Sequence, residues 1–250
     1  VPWTETRSPS FAARHEQRDA RDAVSVLELL EGTRERLAGA FSVVPEDVAV
    51  ILHTSPVQLG LAQPYLPVIR ALTAPAGRRY LAGWFSRGEV HVLAPRLLAR
   101  RASNVAGSRE MVMLSPASLY AQLVVAANND RLPPPFRVVG FLRYVRWAWL
   151  AAGAAQYFSG QTVYARPAIA RRLREGRPPA FPPGVADATL LGGSLFDLLA
   201  EEKGEAAAVG LATALPAGGA QEALRQAFPD RNLVNTEGEW RAHLARLAEP

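Results

Sequence analysis

Apolar and polar positions first alternate at Phe11, Ala12, Ala13, Arg14 and His15, a period of two that predicts a short opening strand. The period then lengthens. Ala23, Val24, Leu27, Leu30, Leu37 and Phe41 recur at three- and four-residue steps, with Arg21, Glu28, Glu31 and Arg34 mainly opposite, as on an amphipathic helix. Pro45, Glu46 and Asp47 mark a turn, and Val48 to His53 is a nearly continuous apolar run of strand length. Tyr80 to Phe85 and Glu89 to Leu93 flank Ser86, Arg87 and Gly88 as the arms of a hairpin that turns at the glycine. Met111 to Leu114 is expected to add one more short strand.

The character of the chain changes at Ser115 and Pro116, where a hydroxyl followed by proline opens a helix expected to run to about Asn128. Pro133, Pro134 and Pro135 break it. Beyond them the pattern is helical: an apolar helix from about Phe136 to Phe158, a second opened by Pro167, a proline-rich connector at Pro178 to Pro183, and three further short helices. No internal repeat is visible. The expected architecture is α+β, with a mixed sheet and its helices in residues 1–132 and a helical bundle in residues 133–250.

Composition narrows the possible functions. With 49% hydrophobic and 20% charged residues, the 250-residue chain has the balance of a globular protein and not of a disordered one. No apolar run reaches the ~20 residues of a membrane-spanning helix, so a soluble chain is expected. The absence of cysteine excludes disulfides, thiolate zinc sites and cysteine nucleophiles. The first residue is Val1 and not methionine, from which a processed start is expected, and no secretory leader is legible. The net charge of +5 raises a nucleic-acid reading. Lys203 is the only lysine, acids are interspersed among the arginines, and the densest basic stretch, with Arg171, Arg172 and Arg174, lacks aromatics for base stacking. No nucleic-acid partner is expected.

Several strings resemble the gluzincin-type, thermolysin-related metallopeptidase-like domains known as peptidase-MA-like. SPSFAARH, the long helix and VAVILHTSP are similar to that family's opening strand, helix and second strand. LAGWFSRGEVHVLAP looks like the hairpin before its active-site helix. WLAAGAAQYFSG is similar to its W-L-x-E-G-x-A-x-Y-x-x-G helix, and the segment GGAQEALRQAFPDRNLVNTEGEWRAHL resembles its closing helices. In an active member, a helical H-E-x-x-H supplies two zinc ligands and a general base, and the later glutamate is the third ligand. Here the corresponding helix reads SPASLYAQLVVAANND, and either register, Tyr120 to Val124 or Leu123 to Ala127, lacks all three groups. Ala152 stands where the glutamate would be. The resemblance therefore implies the fold without the metal, and no cofactor is expected.

The resemblance also places Tyr120, Gln122, Asn128, Asn129 and Asp130, with Gln156, Tyr157 and Ser159, in or near the former groove as candidate ligand contacts. Each has an ordinary alternative: the 128–130 stretch is also a normal helix terminus, and Tyr157 is also a normal core residue. Trp84, Trp147 and Trp149 read as core, while Arg143 and Arg146, one turn apart, face either a groove or solvent. His15, His53, His91 and His243 lie on separate elements. His91 shares a strand face with Glu89, the best available acid/base pair, although a partly exposed strand histidine is more often structural. His53 is expected to cap a turn, and His243 to sit on the surface. LLGGSLF lacks the lysine and spacing of a P-loop, and no G-x-S-x-G elbow is present. The expectation is a catalytically inactive, metal-free peptidase-like module that is structural or binds a protein or peptide. The alternatives are a hydrolase with an unconventional site and an arginine-rich nucleic-acid-binding protein.

Overall fold

The computed structural model describes residues 3–132, 134–135 and 137–249. It opens on β1 (Trp3–Arg7) and β2 (Phe11–Glu16), an antiparallel pair. Helix α1 (Ala20–Ala38) leads to β3 (Val48–His53), which runs parallel to β2. Three short helices, α2 (Pro56–Ala62), α3 (Tyr65–Leu72) and α4 (Pro75–Arg78), precede the hairpin of β4 (Gly83–Ser86) and β5 (Glu89–Leu93). Strand β5 inserts parallel to β3 and leaves β4 at the edge, so the sheet is mixed, in the order β1-β2-β3-β5-β4. The alternation seen in the sequence is the burial pattern of one face: Phe11, Ala13, Val48, Val50, Leu52, Val90 and Val92 are all buried there.

After α5 (Pro95–Arg101) and α6 (Ser108–Met113), α7 (Ser115–Ala127) packs on β4, β5 and α1. The helical region follows with α8 (Val138–Arg146), α9 (Ala148–Phe158), α10 (Gln161–Arg174), α11 (Val185–Lys203), α12 (Glu205–Thr213), α13 (Gly219–Ala227) and α14 (Leu233–Ala248). The chain is thus α+β, a mixed sheet near the N-terminus followed by helices, and one continuous apolar core runs from Phe11 to Leu247 through both. No helix among the described residues is long and apolar enough to cross a membrane.

Several expectations are corrected. Met111 to Leu114 is not a strand: Met111 and Val112 are buried in α6, because an apolar run of four residues carries no period of its own. The expected helix from Phe136 to Phe158 is two helices, α8 and α9, which meet at Trp147 (φ −108°, ψ 19°). Pro133 and Phe136 lie outside the described residues. Pro167 does not open a helix but sits inside α10, where the carbonyl deprived of its partner belongs to Val163, an exposed residue whose backbone water can serve. Beyond the connector are four helices, not three, and α11 and α14 are long, with 19 and 16 residues. Val24 points outward and Val26 takes its place in the core.

Every residue of α9 except Tyr157 is buried, so this helix is apolar all round and runs through the centre of the core. It lies against α11 through its backbone. A Cβ placed on Gly153 would come 2.6 Å from the Gly192 carbonyl carbon, and one on Gly192 would come 2.8 Å from Gly153 Cα. Ala148 and Ala152 meet Ala188 along the same seam. Gly153→Ala is therefore expected to destabilise the fold by about 2 kcal/mol, against the ~1 kcal/mol that alanine ordinarily gains over glycine within a helix. Gly32→Ala in α1, with open space around the added methyl, should stabilise by ~0.5–1 kcal/mol. Urea unfolding of the two variants checks the opposite signs.

Candidate functional site

The place that the resemblance gives to a metal lies between α7 and α9, beside edge strand β4. It is closed. Ala152, Ser118, Leu119, Gln122, Tyr144 and Gln161 are among the residues enclosing a cavity of about 30 Å³. A neighbouring cavity under Phe85, Gln122, Val125 and Tyr144 is about 10 Å³. Ligand sites measure ~300–1,000 Å³, so the remaining space suits no more than a water molecule or two. Helix α8 contributes to the closure. The buried Tyr144 ring meets Trp84 edge-on with centroids 5.1 Å apart, Phe141 also packs on Trp84, and the Tyr144 hydroxyl donates to Gln122 Oε1 at 3.4 Å. Burial pushes the Tyr144 hydroxyl well above the usual phenol range, so it acts as a neutral donor.

The candidate groove residues do not converge on a common space. Tyr120 is fully buried and its hydroxyl donates to Pro45 O at 2.8 Å. Asn128 donates to Val43 O and accepts from Val43 N and Ser42 Oγ, fastening the end of α7 to the loop after α1. Asn129 is buried and donates to Ala212 O on α12 at 3.0 Å. Gln156 donates from Nε2 to Leu190 O at 3.0 Å and accepts from Gly193 N at 2.8 Å, so its amide clasps the backbone of α11. A Cβ on Gly193 would lie 2.6 Å from that same Gln156 oxygen, which accounts for the second glycine of LLGGSLF. Ser159 donates to Gln156 O, Asp130 is exposed, and half-buried Tyr157 packs on Phe158 and Phe196. Gln122 alone of the set lines the closed cavities.

Two histidine clusters carry the remaining titratable chemistry. Parallel pairing of β3 and β5 puts His53 Nε2 3.0 Å from His91 Nδ1, and His91 Nε2 lies 3.2 Å from Glu89 Oε2. The Glu89–His91 pair seen in the sequence is present, but its extension to His53 requires the strand register and was not legible. A carboxylate only accepts, so His91 donates to Glu89 from Nε2, accepts at Nδ1, and His53 donates from its Nε2. This leaves a bare lone pair on His53 Nδ1, which is buried and has no partner. The relay thus ends at one side in a buried lone pair and at the other in the part-exposed Glu89 carboxylate. The turn that His53 was expected to cap is capped by Ser55, whose hydroxyl accepts from Gln58 N at 3.0 Å.

His243 is not a surface residue; it is buried between α11 and α14, with Nε2 3.0 Å from Asp197 Oδ2 and Nδ1 3.5 Å from Glu201 Oε2. Among the described residues this is the one cluster of three groups able to ligate a metal. The two carboxylates meet opposite ring nitrogens, and Arg246 lies 3.3 Å from Nδ1. One ligand atom from each of the three lies within 4.8 Å of the others, and the nearest contacts are those of an imidazole between two acids.

Burial, followed by the neighbouring His91, holds the His53 imidazole down at about 4. The unfolded chain therefore takes up this proton first as pH falls, near the ordinary histidine value of ~6.5, and the folded chain only near 4. Stability is expected to be insensitive to this group above pH ~6.5 and to fall across the window down to about 4. His53→Gln should make that fall shallower in urea melts at stepped pH. Equal slopes in parent and variant would show that His53 titrates normally.

Comparisons with protein-family models, with curated proteins and with solved structures returned no match to this chain.

Proposed function

We propose that this chain is a non-catalytic module of the gluzincin, peptidase-MA-like type, which has given up zinc and hydrolysis and acts by binding a protein or peptide. The observation that carries the reading is the closed inter-helix space: where the resemblance calls for a glutamate ligand, Ala152 is nine-tenths buried against Ala148 and Ala188, and about 30 Å³ remains. The polar residues around the former groove support it, since most of them hold backbone groups of neighbouring elements and not an open cleft. A binding role is supported by apolar side chains left outside: Val57 and Leu61 of α2, one turn apart, are 71% and 81% exposed, and Val68 and Leu72 of α3 are also exposed.

The nucleic-acid alternative has less support. Many arginines are neutralised within the fold, as Arg172 is by Asp187, Arg96 by Asp19 and Arg231 by Glu202. The hydrolase alternative rests on Glu89, His91 and His53, whose relay is exposed only at the Glu89 carboxylate and ends in a buried His53 nitrogen.

Elemental analysis of the chain purified without chelator, with a broad peptide-cleavage assay, tests the proposal. The expected result is no stoichiometric zinc and no cleavage, while one zinc per chain lost to chelator together with stability would overturn it. Ala152→Glu is expected to lower stability by about 1–3 kcal/mol, from overpacking and an unpaired carboxylate, without creating zinc binding. A melt identical to the parent would mean that the space is open.

A further inference from the structure

A second concavity lies apart from the former groove. It is a surface cavity of about 520 Å³ between the exposed side of α8 and the 215–219 segment that leads into α13, within the ~300–1,000 Å³ of small-molecule sites. Three guanidinium groups, of Arg131, Arg143 and Arg146, line it, and none of its lining residues is acidic.

These arginines differ from those elsewhere in the fold. Arg131 donates from one terminal nitrogen to Leu215 O at 2.9 Å, and Arg143 from one to Arg131 O at 3.0 Å. Those bonds to neutral carbonyls fix the two side chains at the rim without neutralising them, and they leave further N–H groups free to donate. Among the described residues Arg146 has no hydrogen bond or ion pair, and none of the three meets a carboxylate. Three like charges around one hollow repel one another, and an anion placed between them removes that repulsion while accepting several charge-assisted hydrogen bonds. Helix α13 also begins at this wall, and since Glu222 in its first turn offsets the helix dipole, the positive field of the cavity is that of the three arginines.

The rest of the wall is apolar. Val139 and Leu142 are 70% and 61% exposed, which is unusual for aliphatic side chains on a helix whose other face is buried, and Trp147 forms the floor. We propose that this cavity binds an organic anion, a carboxylate or phosphate joined to an apolar body, with Arg146 and Arg143 holding the charged group and the exposed Leu142 and Val139 covering the body. A bare inorganic anion would leave the aliphatic wall in water. A nucleic-acid strand would lack an exposed aromatic on which to stack, because Trp147 is buried. The inference is independent of the proposed loss of catalysis, because the cavity lies outside the closed space between α7 and α9.

The test is calorimetric titration of the full chain with octanoate and octyl phosphate below their micelle thresholds, beside octylammonium and inorganic phosphate. The two octyl anions are expected to bind saturably, inorganic phosphate at least about tenfold more weakly, and octylammonium not at all. Arg146→Ala should weaken octyl phosphate about tenfold, and Leu142→Asp, which sets a carboxylate in the wall, should abolish binding. Both side chains are exposed, so both variants should melt with the parent. Sedimentation with phosphatidylglycerol vesicles separates the sources of the anion. Arg146-dependent co-sedimentation without binding of the soluble octyl anions would assign the group to a lipid in a bilayer and support the site. Equal binding of octylammonium, unchanged affinity in both variants, tighter salt-sensitive binding of a single-stranded oligonucleotide, or no binding to either soluble or vesicle anions would overturn it.

Discussion

Two helices can approach to backbone contact only where neither carries a side chain, and α9 and α11 meet this condition at Gly153 and Gly192. Much of the helical region depends on that approach. It brings Ala148 and Ala152 onto Ala188, buries α9 on nearly all sides, and leaves no room between α7 and α9 for a hydrated ion. The closeness also explains why the buried helix is built from alanines. Larger side chains along the seam would force the axes apart, and the main-chain van der Waals contact over several turns would be lost.

Burying so much helix brings polar groups inside with it, and they are met mostly by partners distant in sequence. Trp240 donates from its indole nitrogen to Ser194 Oγ at 2.8 Å, His243 lies between Asp197 and Glu201, and Gln161 donates to Met111 O at 2.7 Å. Each links helices that share the core without neighbouring one another in the chain. The indole nitrogens of Trp84 and Trp149 have no such partner, a cost of roughly 1–3 kcal/mol each that the surrounding aromatic and aliphatic packing offsets.

What the sequence reveals is local, and what it conceals depends on pairing. The start of α7 at Ser115 and Pro116, the hairpin turning at Gly88 and the alternation in β2 and β3 are written within a few residues, although the Ser115 hydroxyl donates to Val112 O and does not cap the helix, and the first hairpin arm begins at Gly83 and not at Tyr80. Strand β1 was missed because its burial alternates only weakly, with no residue fully buried at an outer edge of the sheet. Short helices α2 to α5 were missed because proline opens three of them over runs too brief to show a period. The burial of His243 needed an acid 46 residues away, and the relay at His53 needed a parallel register; neither distance is encoded in spacing along one element. Of the candidate groove residues, the sequence identified polar groups with structural importance, but their backbone acceptors, such as Pro45 O and Ala212 O, lie on loops and helices that no local pattern connects to them.

The amide of Gln156 gives the α9–α11 contact a register as well as a distance. Its nitrogen needs an acceptor and its oxygen a donor, and α11 presents them at Leu190 and Gly193, three residues apart on one side of the helix. Sliding α11 by a single residue would break both bonds at once, and in one direction it would also bring Leu191 against Gly153 in place of Gly192. Glutamate retains only the acceptor and methionine neither group, so no side chain of similar length replaces it. The glycine pair thus sets how near the two helices come and Gln156 sets where along their length they meet, so a divergent chain with the same crossing should keep all three positions together.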